Sequence, residues 1–189
     1  MVQVFNERGY EAASMEDLAR ASGLTKSTLY HHVSSKEELL EMAVDRALDA
    51  LTTVFDNEVT GVRSAAPVDR LRSALRSTTE VLLAELPYVT LLLRVRGNTD
   101  VERAALARRR DFDDRLAGLV RAAADAGQIR DDIEPRLVSR LLFGMVNSVT
   151  QWYRPASRTS RPQIVRAVVE LAMTGLGAPD AEANRADPT

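Results

Sequence analysis

Apolar residues recur at three- and four-residue intervals along almost the whole chain, and no stretch shows the strict alternation of a half-buried strand. The pattern predicts an all-α protein. Leu39, Leu40, Ala43, Val44, Ala47, Leu48, Leu51 and Phe55 form one stripe over 36–56, opened by a capping box of Ser35 with Glu38. Asn57 to Pro67 reads as a loop. Val68, Leu71, Leu75, Val81 and Leu82 then stripe a helix ending before Pro87, and a short apolar helix is expected over 88–96. Gly97-Asn98 breaks that run, after which Ala105, Phe112, Leu116, Leu119 and Val120 carry a helix over 101–126, closed by Gly127. Two last helices are expected over 134–153 and 162–176. The stretch 178–189 has almost no large apolar residue and is expected to be a disordered tail.

The first 34 residues have a finer grain. Val2 to Arg8 reads as a helix stopped by Gly9, and Ser14 with Asp17 makes a capping box for a helix ending near Ser22. Gly23 supplies the positive φ angle that a tight corner between two short helices requires. From Thr25, an N-cap, the next helix runs to about His32. Leu29 and Val33, four apart, are expected to enter the core with Leu24, leaving Lys26, Ser27, Tyr30 and His31 on the opposite face.

Charge sharpens that face. The chain carries 27 acidic against 25 basic residues, yet no acidic residue stands between Asp17 and Glu37. A short helix with a buried seam and an outward face of lysine, hydroxyls, tyrosine and histidine suits the DNA major groove. Small hydroxyls approach base edges, the lysine reaches a guanine edge or a phosphate, and the helix N-terminus favours phosphate. Lys36 and Ser14 add phosphate contacts on either side. Residue chemistry alone leaves a second reading open, in which the face is simply solvated.

Composition removes other classes. With 189 residues and 45% hydrophobic content, the chain can bury a sizeable core in one domain or two small units. No apolar run approaches the roughly 18 residues of a membrane span, and no basic segment followed by an apolar core opens the chain, so a cytoplasmic protein without membrane contact is expected. The absence of cysteine rules out disulfides and thiolate metal sites, and His31 and His32 stand without a carboxylate pattern. No metal or cofactor is expected. No nucleophile elbow, phosphate loop or paired-histidine motif marks an enzyme. A helical protein-interaction module without specific DNA binding is the main alternative, supported by nine acidic against five basic residues in positions 1–50.

The stretch GYEAASMEDLARASGLTKSTLYHHVSSKEELL resembles, nearly position for position, the DNA-binding signature of the TetR family of bacterial regulators. The matching residues are Gly9, Tyr10, Ser14, Leu18, Ala19, Gly23, Thr28, Leu29, Tyr30, His32, Lys36 and Glu37. The resemblance implies a helix-turn-helix DNA-binding domain over 1–46 and a helical ligand-binding and dimerisation domain over 47–177. It implies that Lys26, Ser27 and Thr28 face base edges or nearby sugar-phosphate, that Tyr30, His32 and Lys36 contact the backbone, and that Thr25 and the more variable His31 flank them. The family's first helix is usually longer and often preceded by a basic arm, so part of it is expected upstream of Met1. Glu16 stands where some relatives carry a basic contact.

The family's last two helices pair with those of a second subunit, which implies a homodimer with Leu141, Gly144, Ser148, Val168 and Leu171 at the interface. Gly144 costs a helix roughly 1 kcal/mol, which close approach of a partner helix or relief of crowding within the chain would offset. A two-fold dimer implies a palindromic operator on double-stranded DNA, occluded until a small molecule releases it.

The segments LLLRVRGNTDVERAALARRRDFDDRLAGLVRAAADAGQIRDDI and MVNSVTQWYRP are similar to the branch of this family that responds to acyl-CoA thioesters. Such a ligand needs an apolar slot and cations for its phosphates. Leu91, Leu92, Val95, Phe112, Met145 and Val149 are candidates for the first, and Arg94, Arg96, Arg103 and Arg108 to Arg110 for the second. An arginine run is equally a solvated face paired with Asp111 and Asp113. Asn147 is either a pocket contact or an internal hydrogen bond, and Trp152 either a ligand contact or part of the core or interface.

Overall fold

In the computed structural model of the chain, helix is the regular structure of the described residues, 1–61 and 65–177; of 54, 55 and 57–61 only the backbone is described. The elements are α1 (Val2–Arg8), α2 (Met15–Ala21), α3 (Lys26–His32), α4 (Lys36–Gly61), α5 (Pro67–Ala84), α6 (Leu86–Leu92), α7 (Asp100–Asp125), α8 (Pro135–Trp152) and α9 (Arg161–Gly175). They fall into two compact units, Met1–Thr53 with Val81–Asp111, and Val54–Glu80 with Phe112–Thr189.

In the first unit α2 packs on α3, and α1 packs on both α2 and α6. Phe5, Leu18, Leu29 and Leu40 are its most deeply buried large side chains in the N-terminal part. Asn6 on α1 donates its side-chain amide to the carbonyl of Pro87 at 2.8 Å. Arg46 on α4 donates to Glu85 at 2.7 Å and stacks over the Tyr88 ring at 4.3 Å. Arg108 on α7 pairs with Asp45 at 2.8 Å and Asp49 at 2.5 Å, one turn apart on α4. These ion pairs are solvent-screened and contribute little, so burial rather than charge holds the unit together.

In the second unit α8 packs on α9, with Val146, Val149, Ile164, Val165 and Val168 buried. Phe112 and Phe143 stack obliquely, ring centres 5.3 Å apart. The backbone amide of Arg130 donates to Leu176 at 2.9 Å, and Gln128 accepts the amide of Val68. Ser160 and Gln163 form a capping box at the start of α9.

The structure departs from the sequence reading at several places. The helix expected to stop at Asn57 runs to Gly61, because asparagine costs a helix only a few tenths of a kcal/mol against other polar residues while glycine costs about 1. Of the rest of the expected loop, residues 65 and 66 are non-helical and Pro67 opens α5, while 62–64 lie outside the described residues, as do the Phe55 side chain and the tail 178–189. The short helix expected over 88–96 is α6, shifted toward Leu86. Proline is tolerated in a first turn, where its missing N–H would have no partner, so Pro87 lies inside the helix rather than before it. Past Leu92 the chain leaves the helix, and Glu102 accepts the amides of Gly97 at 3.0 Å and Asn98 at 2.6 Å.

Leu24 does not join the core. It is 38% exposed, lying in the corner where its backbone amide donates to Ala19 and the Gly23 amide donates to Arg20, closing the C-terminus of α2. Val168, expected at a subunit interface, is buried within its own unit, which leaves little of its side chain open to a second subunit. At the start of α4, Ser35 accepts the Glu38 amide, but the Glu38 carboxylate reaches back to Ser34, bonding its amide at 2.6 Å and its hydroxyl at 2.7 Å.

Candidate nucleic-acid interface

The corner between α2 and α3 is built from caps. Ser14 accepts the amide of Asp17 at 3.1 Å and donates its hydroxyl to the Asp17 carboxylate at 2.6 Å, so both partners of the capping box are committed to each other. Gly23 takes a φ of 68°, a value that lets α3 start after a four-residue break. Thr25 caps α3 by accepting the Thr28 amide at 3.1 Å, and the two threonine hydroxyls share a hydrogen bond of 2.8 Å.

These contacts decide which groups face outward. Leu29 and Val33 are buried, which turns Lys26, Ser27, Tyr30, His31 and His32 to the surface together with Thr25. Thr28 is half-buried and its hydroxyl is engaged by Thr25. The sequence-predicted face is therefore one continuous exposed surface on α3, with Ser14 exposed at the start of α2.

Lys36 is placed differently from a free surface cation. Its ammonium donates to the carbonyl of Tyr10 at 2.8 Å and to that of Glu11 at 3.2 Å, and it lies 4.5 Å from the centre of the Tyr10 ring. This ties the first turn of α4 to the bend between α1 and α2. Tyr10 in turn packs against Phe5, ring centres 5.8 Å apart, and its hydroxyl is pushed to higher pKa by burial and then by Glu37, Glu11 and Glu102. Gly9, at φ 82°, ends α1 and brings Tyr10 back to this position. Helical periodicity alone gives Tyr10 no role; its signal in the sequence is a glycine-aromatic pair separated from a lysine by two short helices.

The carboxylates of this unit are held by caps as well as by cations. Asp17 is kept below the usual aspartate range first by its hydrogen bonds from Ser14 and then by Arg8 and Arg20. Arg8 reaches it at 2.8 Å. Glu38 is lowered in the same way by the amide and hydroxyl of Ser34. Anions fixed near the starts of α2 and α4 favour those helices, and they also occupy amides that a DNA phosphate would use.

The residues predicted to meet an effector are divided between the units. Leu92, buried, and Arg96, exposed, belong to the first; Phe112, Met145, Asn147 and Trp152 belong to the second. In the second unit Met145 lines a groove of about 220 Å³ with Leu141, Leu142, Leu171 and Ala172, whereas Asn147 is half-buried on α8 and Trp152 is 54% exposed at its end. The arginine run of α7 is largely occupied: Arg108 holds Asp45 and Asp49, Arg103 pairs with Asp100, and Arg109 donates to the Leu92 carbonyl at 3.4 Å.

Of the residues predicted for a dimer interface, Leu141 and Leu171 are 61% and 68% exposed, and Leu137 and Trp152 extend the apolar surface of α8. A Cβ built on Gly144 meets nothing within 4 Å, so crowding within the chain gives no reason for glycine there. Ser148 bonds locally to the Met145 carbonyl at 2.7 Å.

Comparison with known proteins joins these observations. Residues 2–43 match the domain described as bacterial regulatory proteins of the tetR family, and residues 64–176 match the tetracyclin repressor-like C-terminal domain. A solved structure of SCO3833 from Streptomyces coelicolor A3, a TetR transcriptional regulator, is 54% identical with a TM-score of 0.85, covering 93% of this chain and 88% of that one. The HTH-type transcriptional repressor KstR2 of Rhodococcus jostii is 24% identical over 93% of this chain and 87% of its own length. AibR, solved in complex with isovaleryl coenzyme A and operator DNA, is 26% identical with a TM-score of 0.73, covering 90% of this chain and 92% of that one. No described helix is long and apolar enough to cross a membrane. The capped corner, the exposed α3 face and the match over both parts of the chain make this protein a member of the TetR family of DNA-binding transcriptional regulators.

Proposed function

We propose that the protein is a dimeric repressor that occludes a palindromic operator and is released from it by an acyl-CoA thioester. The observation that carries the DNA-binding half is the exposed α3 face of Lys26, Ser27, Tyr30, His31 and His32, held outward by the buried Leu29 and Val33. Lys26, Ser27 and Thr28 read base edges; Ser14, Thr25, Tyr30, His31, His32 and Lys36 position the backbone. Thr28 and Lys36 must first exchange an internal hydrogen bond for a DNA one. Residues 1–46 act as the DNA-binding domain and 47–177 as the effector and dimerisation domain.

The dimer reading is supported by the exposed Leu141 and Leu171 and by the open space at Gly144. Apolar side chains of this size, clustered on neighbouring helices, are what a second subunit covers. Val168 drops out of the proposed contact set. The ligand class is supported by AibR, whose structure contains isovaleryl coenzyme A and operator DNA. Leu92, Arg96, Phe112, Met145, Asn147 and Trp152 remain the candidate effector contacts.

Selection of random duplex DNA by the purified protein at about 0.1 M salt tests the reading. Enrichment of a palindrome with half-site centres about 34 to 36 Å apart is expected. Titration of short- and medium-chain acyl-CoA esters should then weaken operator binding by about 5- to 150-fold. A pool without an enriched motif would overturn operator recognition, and unchanged affinity with every ester would overturn the ligand class.

A further inference from the structure

The first unit contains a cleft of about 710 Å³ that brings Leu91, Val95, Arg94 and Arg96, four of the candidates for effector contact, together with the end of α1. One wall is the end of α1 and the Gly9–Ala12 bend; the other is the segment leading from α6 to α7. Its volume lies within the range of about 300 to 1,000 Å³ found for small-molecule sites. Phe5, Leu40, Leu91 and Val95 supply an apolar base.

The polar groups of the cleft favour an anion. Arg96 is exposed and has no hydrogen-bond or carboxylate partner among the described residues, while Arg94 gives one guanidinium nitrogen to the Asn6 carbonyl and keeps further N–H donors. Arg8, also on the wall, is paired with Asp17. Two acids line the cleft. Glu102 is buried, its carboxylate held by the Gly97 and Asn98 amides, and its charge offsets part of the arginines' charge. Glu11 belongs to the bend rather than to the arginine segment. An apolar base with guanidinium groups at its edge selects a ligand with an apolar body and an anionic head.

The position of the cleft matters as much as its chemistry. The Gly9–Ala12 bend that walls it is the segment whose Tyr10 and Glu11 carbonyls hold the Lys36 ammonium, and α2 starts at Met15, just beyond Ser14. A ligand that displaces the bend therefore changes both the hold on Lys36 and the start of α2. We propose that this cleft is an effector site for an apolar organic anion, a fatty carboxylate or the phosphate-bearing end of its thioester, with the Arg94–Arg96 segment binding the charged end and the Gly9–Ala12 bend passing occupancy to Lys36. This rests on the ligand-responsive reading above, and it places a control site in the first unit, against the bend that precedes α2.

Isothermal titration of the full chain with octanoate, decanoate, dodecanoate and their CoA thioesters, with CoA alone as control, tests the site. At least one probe is expected to bind, and more tightly than CoA alone, because the apolar base contributes. Binding of the free acids identifies a carboxylate head and binding of the thioesters alone identifies their phosphates; either supports the site, provided that Arg96→Glu and Arg94→Ala each weaken that probe by about tenfold or more. Leu91→Trp, which fills the base, should do the same, and thermal melting checks that each variant is folded. Failure of every probe to bind, equal binding by CoA alone, or unchanged affinity in the folded Arg96→Glu and Arg94→Ala proteins would overturn the proposal. The outcomes are separable from those of the function above. Operator release by an acyl-CoA with affinity unchanged in the arginine variants defeats this site alone, whereas a failed duplex selection defeats operator recognition while titration still reads the cleft.

Discussion

Ser14 and Asp17 each serve the other in the capping box, and that reciprocity sets what a substitution does. Ser14→Ala should lower stability by about 1 kcal/mol, the usual cost of a lost N-cap, read as a shift in urea midpoint without a change in slope. Asp17 carries part of the pH dependence. Its carboxyl titrates below the usual range in the folded protein, so its contribution is complete above the ordinary aspartate pKa and fades as pH falls through the lowered value. Melting temperatures of the parent and Asp17→Asn should differ at neutral pH and converge in acid; a constant difference would show that the carboxylate charge contributes nothing. Lys36 is the other decisive residue. Lys36→Ala should weaken binding to all DNA sequences and reduce the salt slope by about 1 if the ammonium reaches a phosphate. Because the free protein holds that ammonium on two carbonyls, the variant should also lose stability, and a stability loss with an unchanged salt slope would mark Lys36 as a purely internal tie.

At the scale of elements, α3 is seven residues long and would not hold its shape alone, since isolated helices shorter than about 12 residues are marginal in water. Its exposed face depends on the Thr25 cap and on two buried anchors, Leu29 and Val33. Lys26→Ala should therefore relax base preference at one operator position without altering the helix content seen by circular dichroism. Helices α8 and α9 pose the opposite case: long enough to persist, they expose Leu141 and Leu171. Leu141→Glu combined with Leu171→Glu should shift the protein from dimer to monomer in sedimentation velocity at micromolar concentration, with operator affinity falling in step. A parent protein already monomeric there would remove the reason for the palindrome.

For the whole molecule, regulation requires that effector and operator favour different arrangements of the same chain, and the coupling is reciprocal. Operator DNA should therefore weaken effector binding by the same factor by which effector weakens operator binding, within the 5- to 150-fold range that about 1 to 3 kcal/mol provides. Titration of effector into free protein and into the protein–operator complex measures that factor directly. Equal affinities in the two titrations would exclude linkage between the sites.

Local patterning sufficed where neighbours in sequence do the physical work. Helix periodicity indicated the all-α class, the Ser14–Asp17 box and the Thr25 cap are three-residue contacts, Gly9 ends α1, and Gly23 adopts the positive φ angle its corner called for. The recognition signature and its outward residues were legible for the same reason, since burial of Leu29 and Val33 follows from their spacing. Tertiary structure alone decided the rest. Lys36 meets the Tyr10 carbonyl across 26 positions, Arg108 meets Asp45 across 63, and Asn6 meets Pro87 across 81; no helical period encodes such pairings. They depend on how helices pack, which is set by the combined burial of many side chains. For the same reason the lysine expected to anchor a phosphate is bridged to two carbonyls, the Leu24 side chain stays outside the core, and the cleft beside the Gly9–Ala12 bend has no counterpart in the linear pattern.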